Sequence, residues 1–292
     1  MTKELKVNIW DVEHGHGVYI KTPTEKHIVI DLGVGSHNSG ETFSPLRHLK
    51  NNYGVQNLDL LILTHPHMDH LDDILNLDEV KPKAISFPKF TDAEILELKK
   101  NCQSKDEEKM KKFIEYRKDY TITQPYNESV IENTQNSGLD FIKRFRSSKK
   151  QTNLNDVSCV TVVQYYGYKI VIPGDNEKSS WDEFLEREDF KEAIKDADIY
   201  LASHHGRESG YHEEIMNILN PKLVIISDSK KHNTTSENYT KKARGLDVFY
   251  FDENDEVQSQ NRKTLSTHND GRVHIRICEK YKNLLVIKGW VG

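Results

Sequence analysis

Alternating and β-branched apolar segments, separated by turns, dominate the first quarter of the chain. Residues 5–10 alternate between apolar and polar side chains, residues 18–21 follow a glycine-rich turn, and residues 27–31 are rich in β-branched side chains. Each of these patterns predicts a strand. Residues 41–52 carry apolar side chains at helical spacing, and residues 58–64 are almost continuously apolar. The latter run predicts a strand that is buried on both faces.

The second half of the chain repeats a rhythm of apolar strands and amphipathic helices. Strands are predicted at residues 157–165, 169–172, 199–202, 223–227, 248–251 and 273–277. Helices are predicted at residues 178–190, 212–219 and 237–244. Two strand-rich halves with intervening helices predict an α/β protein, in which two sheets pack together and helices cover their outer faces.

A charged stretch interrupts this rhythm between about residues 90 and 150. Residues 92–119 place apolar side chains at helical spacing among many charges. We therefore expect a helical insertion on the core fold at about 90–150.

The insertion is expected to end in a basic run without acidic residues. The run contains Lys143, Arg144, Arg146, Lys149 and Lys150. Such a run forms either a solvated loop or a set of contacts to substrate phosphates. On the second interpretation, the candidate substrate-binding residues are Lys143, Arg144 and Arg146.

The composition is typical of a folded protein. With 292 residues, the chain can form one large domain or two small ones. Hydrophobic residues make up 36% and charged residues 30%, which excludes a disordered chain. A net charge of −5 disfavours a protein that coats nucleic acid over a broad surface. We expect neither a signal peptide nor a membrane span, and three scattered cysteines favour a soluble cytoplasmic protein.

Four ligand-type residues follow the apolar run at 58–64. The segment Thr64-His65-Pro66-His67-Met68-Asp69-His70 supplies three imidazoles and one carboxylate. Zinc and manganese are bound by side chains of these types. A local reversal of the chain can direct the first two histidines to one ion and the last two ligands to a neighbouring ion. The sequence therefore predicts a metal centre at this loop.

Two later segments also place ligand-type residues just after predicted strands. Asp175 follows the strand at 169–172, and the pair His204-His205 follows the strand at 199–202. Asp175 can bridge two metals, and its alternative role is an ordinary turn or helix cap. Adjacent histidines point in different directions, so we expect His205 to bind metal while His204 contacts substrate or supports the site.

These motifs resemble those of the metallo-β-lactamase superfamily. The segment from His65 to His70 is similar to its HxHxDH signature. Asp175 is similar to its bridging aspartate, and His204-His205 is similar to its last histidine motif. Asp31 is similar to the aspartate that supports the histidine loop without binding metal. The resemblance implies a single domain over residues 1–292 with the four-layer αββα sandwich fold, and two divalent ions, zinc or manganese.

A closer resemblance is to the hydrolase domain of ComEC-type DNA-uptake proteins and their free-standing relatives. Residues 11–16 are similar to their DVGQGD motif, residues 155–160 to their NxSxV element, and residues 203–207 to their SHHGS motif. In the first of these motifs, His14 and His16 stand where the family has Gln and Asp.

The third histidine motif of the superfamily is missing, as it is in ComEC-like proteins, because no histidine lies between His70 and His204. Asp156 or its neighbour Asn155 is the expected replacement ligand. For Asp156 the alternative is a turn residue before a strand. Asn155 and Ser158 are also candidate substrate contacts.

The resemblance and the predicted metal centre indicate a hydrolase that uses a metal-activated hydroxide. The main hypothesis is a phosphodiesterase, in particular a nuclease acting on DNA or RNA. Asp69 would orient the attacking water, and His204 or His232 would help the leaving group to depart. The alternatives are a hydrolase of a small substrate, such as a cyclic nucleotide, a phosphocholine ester or a lactone, and a non-catalytic binding module. The sequence leaves the oligomeric state open.

Overall fold

Two mixed β-sheets form the frame of the molecule. The computed structural model describes residues 3–35, 42–120, 134–149, 153–229 and 234–289. Within these ranges the first sheet has nine strands, in the spatial order β12 (Val257–Arg262), β11 (Leu246–Phe251), β15 (Asn283–Lys288), β14 (Val273–Cys278), β1 (Glu4–Ile9), β2 (Val18–Lys21), β3 (His27–Ile30), β4 (Leu60–Ile62) and β5 (Ile85–Ser86). The second sheet has six described strands, in the order β13 (Thr264–Ser266), β10 (Leu223–Ile226), β9 (Ile199–Leu201), β8 (Tyr168–Ile172), β7 (Val160–Tyr165) and β6 (Phe141–Phe145).

The first sheet is covered on both faces at its parallel strands β3 and β4. Ile28 of β3 points into the core between the sheets, whereas Val29 points to the opposite face. Leu61 of β4 is paired with Val29 in register and shares that outer face. Such a strand has no solvent face, which explains the continuous apolar run at 58–64. The predicted strand is confirmed, and its paired part is Leu60–Ile62.

Helices cover the outer faces of both sheets. The described helices are α1 (Pro45–Tyr53), α2 (Asp92–Lys100), α3 (Glu107–Lys118), α4 (Thr134–Ser137), α5 (Lys178–Leu185), α6 (Glu188–Ile194), α7 (Glu213–Leu219), α8 (Ser236–Lys242) and α9 (Thr267–Asp270). Helices α1 and α3 pack on the first sheet through Leu49 and Phe113. Helices α5 and α7 pack on the second sheet through Phe184 and Leu219. Burial of each such side chain contributes about 1.5–3 kcal/mol. The order helix, sheet, sheet, helix confirms the predicted αββα sandwich.

Local sequence signals set the bounds of α1. The hydroxyl of Ser44 accepts a hydrogen bond from the backbone N–H of Arg47 at 3.1 Å, and Pro45 occupies the first helical position. Gly54 ends the helix with a φ of 67°, a conformation that glycine adopts without strain. The helix predicted at 41–52 therefore starts at Pro45.

Two expectations from the hydrophobic pattern were incomplete. The helix predicted at 178–190 is divided into α5 and α6. Strands β5, β6, β12, β13 and β15 were not predicted. Strand β12 lies at the edge of its sheet, and most of its side chains are exposed and carry no apolar alternation. Among the helices that the structure describes, none combines the length and the apolar character needed to cross a membrane.

The helical insertion is shorter than the stretch at 90–150. Its helices α2 and α3 pack through Ile95 and Met110 against the outer face of the first sheet. Residues Phe141–Phe145, however, form β6, which pairs antiparallel with β7 at the edge of the second sheet. The basic run thus begins inside a core sheet.

Arg146 connects the end of β6 to the end of β4. Its guanidinium donates to the carbonyl oxygens of Thr64 (2.8 Å), Leu63 (2.9 Å) and Val157 (3.1 Å). Leu63 and Thr64 lead directly into the histidine loop, so Arg146 satisfies carbonyl groups that would otherwise lose their partner. The structure corrects the prediction that Arg146 binds substrate, because both terminal nitrogens of its guanidinium donate to acceptors within the protein.

We expect Arg146→Ala to lower the free energy of unfolding by about 2–3 kcal/mol, the size expected when carbonyl acceptors lose a charged donor. Urea unfolding followed by circular dichroism measures this change. The matched control is Lys143→Ala, since Lys143 is an exposed cation of β6, the strand that ends just before Arg146. Its unfolding free energy should stay within about 0.5 kcal/mol of the parent value. Equal effects of the two substitutions would contradict the structural role of Arg146.

Candidate metal centre

The predicted ligands meet where the carboxyl ends of parallel strands from both sheets face each other. His65 follows β4 of the first sheet, whereas Asp175 follows β8 and His205 follows β9 of the second. Strands β3 and β4 are parallel, and so are β8, β9 and β10. α/β proteins commonly build their sites at this end of the strands. The ligand set is therefore assembled from two sheets.

The carboxylate of Asp31, fully buried after β3, holds the histidine loop. Its Oδ1 accepts a hydrogen bond from the backbone N–H of Thr64, and its Oδ2 accepts from the Thr64 hydroxyl, both at 2.7 Å. Oδ2 also lies 2.8 Å from Nδ1 of His70 and 3.0 Å from Nδ1 of His16. Burial alone would raise the pKa of Asp31, but the two imidazoles outweigh burial and hold this pKa far below its usual value. Asp31 thus lies where the resemblance places its supporting role.

The same hydrogen bonds fix the tautomers of His70 and His65. Asp31 has no proton to give, so Nδ1 of His70 must donate to it. The hydroxyl of Thr64 donates a hydrogen bond to Asp31. Its oxygen can therefore only accept a hydrogen bond from Nδ1 of His65, which lies 3.1 Å away. Each ring therefore carries its proton on Nδ1 and turns the lone pair of Nε2 inward.

The backbone after β9 turns His205 towards the same point. His204 and His205 have φ angles of 48° and 54°, in the left-handed region that side-chain-bearing residues seldom adopt. Gly206 continues the turn with a φ of 75°, and a Cβ there would lie 2.9 Å from Ile226. Nδ1 of His205 lies 3.0 Å from the carbonyl oxygen of Ser227, to which it must donate. Its Nε2 lone pair consequently faces the cluster.

Three buried histidine rings converge around the carboxylate of Asp175. Nε2 of His70 lies 3.3 Å from Oδ1, Nε2 of His205 lies 3.3 Å from Oδ2, and Nε2 of His65 lies 3.8 Å from Oδ2. The Nε2 atoms of His70 and His205 are 3.3 Å apart. Oδ2 of Asp69 lies 3.4 Å from Nε2 of His205. The structure thus brings these predicted ligands together.

This arrangement requires positive charge at its centre. Imidazole lone pairs that face each other and two carboxylates repel one another unless a cation lies between them. Burial lowers the pKa of His205, but the Asp175 and Asp69 carboxylates overcome burial and raise this pKa to about 9. The pKa of His70 is likewise raised well above its usual value, against burial, by Asp175 and Asp31. A divalent ion suits this donor set of imidazoles and carboxylates, so the residues present fit zinc or manganese.

His67 and His204 lie at the edge of the cluster. Nδ1 of His67 is 2.9 Å from Nε2 of His65, and the His67 ring is half-buried. Nδ1 of His204 lies 2.7 Å from a carboxylate oxygen of Glu177, and its Nε2 lies 4.0 Å from Asp175. The outward position of His204 relative to His205 agrees with the expectation that the adjacent rings diverge. His232, the other candidate for assisting the leaving group, lies outside the described residues.

The structure does not bring Asp156 into the cluster. Its Oδ1 accepts hydrogen bonds from the hydroxyl of Ser180 (2.6 Å), the N–H of Ser180 (3.2 Å) and the N–H of Glu177 (2.9 Å). These groups surround the first turn of α5, where a carboxylate is favoured by unpaired N–H groups. Asp156 therefore serves as a helix cap, which corrects the prediction that it replaces a missing metal ligand.

Asn155 and Ser158 support residues around the centre. The amide of Asn155 donates to Glu177 at 3.0 Å, and the hydroxyl of Ser158 accepts from the backbone N–H of Asp175 at 3.1 Å. Ser158 is fully buried, so its hydroxyl positions Asp175 and the structure does not offer it to a substrate.

The basic run does not form a continuous track to the cluster. Lys143 is exposed and lies over the ring of Phe141, on the outer side of the second sheet. Arg144 is half-buried in the same strand, and Lys149 pairs with Glu186 at 3.1 Å on the surface. Lys150 lies outside the described residues. Together with the role of Arg146, these positions do not support the expectation that the basic run guides substrate phosphates to the cluster.

Two residues beside the cluster were not assigned from the sequence. Nε2 of His14 lies 3.7 Å from Oδ2 of Asp69, and its ring centroid lies 4.6 Å from that of His205. Nη2 of Arg207 lies 2.9 Å from Nε2 of His14, and Nη1 lies 3.3 Å from Nε2 of His204. The sequence signal that could have identified these two residues is that each departs from its motif, His14 from DVGQGD and Arg207 from SHHGS.

Comparisons with known proteins place most of the chain in one family. Residues 10–227 match the model of the metallo-beta-lactamase superfamily. The chain is 24% identical over 253 residues to ComE operon protein 3 of Bacillus subtilis (strain 168), a match that covers 80% of this chain and 29% of that protein. It is 37% identical over 76 residues to a UPF0173 metal-dependent hydrolase of Sulfurisphaera tokodaii, which covers 26% of this chain and 30% of that protein.

A similar solved structure is that of the metallo-beta-lactamase fold protein YhfI from Bacillus subtilis. It aligns with a TM-score of 0.42 and 15% identity over 82% of this chain and 92% of that chain. Both matches to the curated relatives span less than a third of those proteins' own length.

We expect Asp31→Asn to weaken metal binding by about 10- to 100-fold. An amide cannot accept hydrogen bonds from all the donors around position 31, so the proton of the His70 ring would no longer be fixed on Nδ1. Competition between the protein and a chromophoric chelator measures this affinity. Asp59→Asn is the control, since Asp59 is a buried carboxylate before β4 that bonds His27 and Lys83 at the far end of the strands. Metal affinity that falls equally in both variants would indicate a general loss of structure instead.

Proposed function

The chain belongs to the metallo-beta-lactamase superfamily of metal-dependent hydrolases, and on this premise we propose that it is a phosphodiesterase whose first substrate class is nucleic acid. The observation that carries the proposal is the convergence of the inward Nε2 atoms of His65, His70 and His205 on the Asp175 carboxylate. The match to ComE operon protein 3 over most of the chain supports it further.

Divalent ions bound here would activate a water molecule as the nucleophile and neutralise charge on a phosphoryl oxygen. Two ions are proposed because the cluster contains two separate ligand-type carboxylates, Asp175 and Asp69, in addition to its imidazoles. Asp175 Oδ2 is 3.3 Å from Nε2 of His205, and Asp69 Oδ2 is 3.4 Å from the same atom. His67 and His65 provide imidazole ligands on the Asp175 side.

Asp69 and His204 take the roles that act on the substrate. Asp69 is half-exposed at the open side of the cluster, where its carboxylate would accept a hydrogen bond from the attacking water and orient that molecule. Glu177 accepts from Nδ1 of His204 and so orients the ring with Nε2 towards Asp175. His204 is therefore the residue that we assign to proton exchange with the leaving group.

A small phosphodiester, such as a cyclic nucleotide, is the second candidate substrate. The positions of Lys143, Arg146 and Lys149 favour this candidate, because none of these side chains lies where it would contact the phosphates of a nucleic-acid strand that enters the cluster. A small ligand needs few backbone contacts, whereas a long strand gains most of its affinity from phosphate contacts.

A substrate panel separates these candidates. The purified protein, with zinc or manganese supplied and its bound metal quantified by mass spectrometry, is incubated with bis-p-nitrophenyl phosphate, single-stranded DNA, RNA and cyclic nucleotides. Hydrolysis of the chromogenic diester and of a long strand supports the nuclease. Hydrolysis of the diester and a cyclic nucleotide alone supports the second candidate. Turnover of a lactone without any diester hydrolysis would reject the phosphodiesterase.

We expect Asp69→Ala to lower the rate of bis-p-nitrophenyl phosphate hydrolysis by at least about 100-fold, since it removes a ligand-type carboxylate and the group that orients water. The rate is measured at saturating metal. Asp72→Ala is the control three positions further on, because Asp72 pairs with Lys109 at 2.5 Å outside the cluster. Its rate should stay near the parent rate. Activity of Asp69→Ala within tenfold of the parent would show that another residue carries this role.

A further inference from the structure

The loop between β1 and β2 brings His14 against the open side of the metal centre. His14, Asp69 and His205 each offer one ligand atom, and these three atoms lie within 4.8 Å of one another. Oδ2 of Asp69 is 3.7 Å from Nε2 of His14 and 3.4 Å from Nε2 of His205. An ion with bonds of about 2.0–2.3 Å to its ligands can span such a triangle. His65, His70 and Asp175 form a separate group with the same property.

The backbone directly after His14 is fixed to the segments that carry the two other members of this group. The N–H of His16 donates to the carbonyl of Asp69 at 3.3 Å. A Cβ on Gly15 would lie 2.7 Å from that same carbonyl oxygen, so only glycine lets the loop approach this closely. The hydroxyl of Ser227, whose carbonyl holds His205, donates to the carbonyl of Gly15 at 2.8 Å. His14 is thus held in place relative to Asp69 and His205 by main-chain contacts.

A buried carboxylate lies behind the ring of His14. Oδ1 of Asp228 is 3.8 Å from Nδ1 of His14, and Asp228 is only 5% exposed. Among the described residues, this oxygen has no hydrogen-bond partner. A carboxylate on the Nδ1 side of an imidazole is the arrangement that orients metal-bound histidines.

We propose that His14 is a metal ligand of this chain and binds one ion through Nε2 together with Asp69 and His205. The inference rests on the metal dependence of the proposed function and not on its substrate. Arg207 lies 2.9 Å from the same Nε2, so its guanidinium must turn away when the ion binds. The guanidinium lies beside the cluster through its contacts with His14 and His204, and its charge would attract an anionic substrate group there.

The test measures metal binding and not turnover. Metal-free protein is titrated with Co²⁺ or Zn²⁺ against a competing chelator, and the number of ions and their affinities are determined for the parent, His14→Ala and His14→Asp. We expect His14→Ala to weaken one of two ions by about 10-fold or more while the other keeps its affinity. The visible spectrum of the Co²⁺ form should change with it. His14→Asp, which retains a ligand atom, should recover part of the lost affinity.

The matched control is His27→Gln, which changes a histidine at the opposite end of β3 that contacts Tyr19. It should bind both ions as the parent does. Unchanged affinity and an unchanged Co²⁺ spectrum in His14→Ala would overturn the inference, as would a parent protein that binds no more than one ion. Circular dichroism of the metal-free variants identifies any loss of fold, in which case the spectrum of His14→Gln decides. If the protein binds two ions but hydrolyses no diester, the proposed phosphodiesterase activity is wrong, whereas the proposed role of His14 as a metal ligand is unaffected.

Discussion

The buried negative charge of Asp31 is the constraint on which the centre depends. A carboxylate removed from water is unfavourable unless donors surround it, and here the donors are the backbone and hydroxyl of Thr64 and the rings of His70 and His16. The hydrogen bonds that satisfy this carboxylate fix both the start of the histidine loop and the loop after β1. The ligand nitrogens then point inward as a result of hydrogen bonds made on their far sides. Asp31 therefore shapes the centre without being part of it.

The remaining order comes from groups that join the two sheets. Arg146, at the end of an edge strand of the second sheet, binds carbonyl oxygens that follow β4 of the first. Ser227, after β10, bonds through its hydroxyl to Gly15 and through its carbonyl to His205. Both contacts cross the interface at the end where the ligands meet. The geometry of the centre is consequently tied to how the sheets dock, and not to one loop alone.

Much of this arrangement could be predicted from the sequence because its signals are local. The cluster from His65 to His70 follows its strand directly, and Asp175 and His205 follow theirs, so an apolar run beside ligand-type residues was enough to find them. The fold followed from the strand and helix periods and from the family resemblance. These signals need no knowledge of which distant segments touch.

The errors arose where a residue's partner is distant in sequence. Arg146 reads as one member of a basic run, but its acceptors lie 82 and 83 positions away. Asp156 has ligand chemistry, yet its partner Ser180 is 24 positions further on, where a helix begins. His14 was noticed as a departure from a motif, but its proximity to Asp69 and His205 depends on how the loop after β1 folds back. Side-chain type alone does not distinguish these roles.

The separation of the ligands along the chain also has a consequence for how the protein acquires its ions. His70 and His205 are 135 positions apart, and closing a loop of that length costs roughly 4 kcal/mol of chain entropy. During synthesis on the ribosome, the first ligand group emerges long before Asp175 and His205 exist. Tight binding of a metal ion by this ligand set therefore requires that the second sheet has been made and has docked, which would make metal loading a late event in the maturation of this chain.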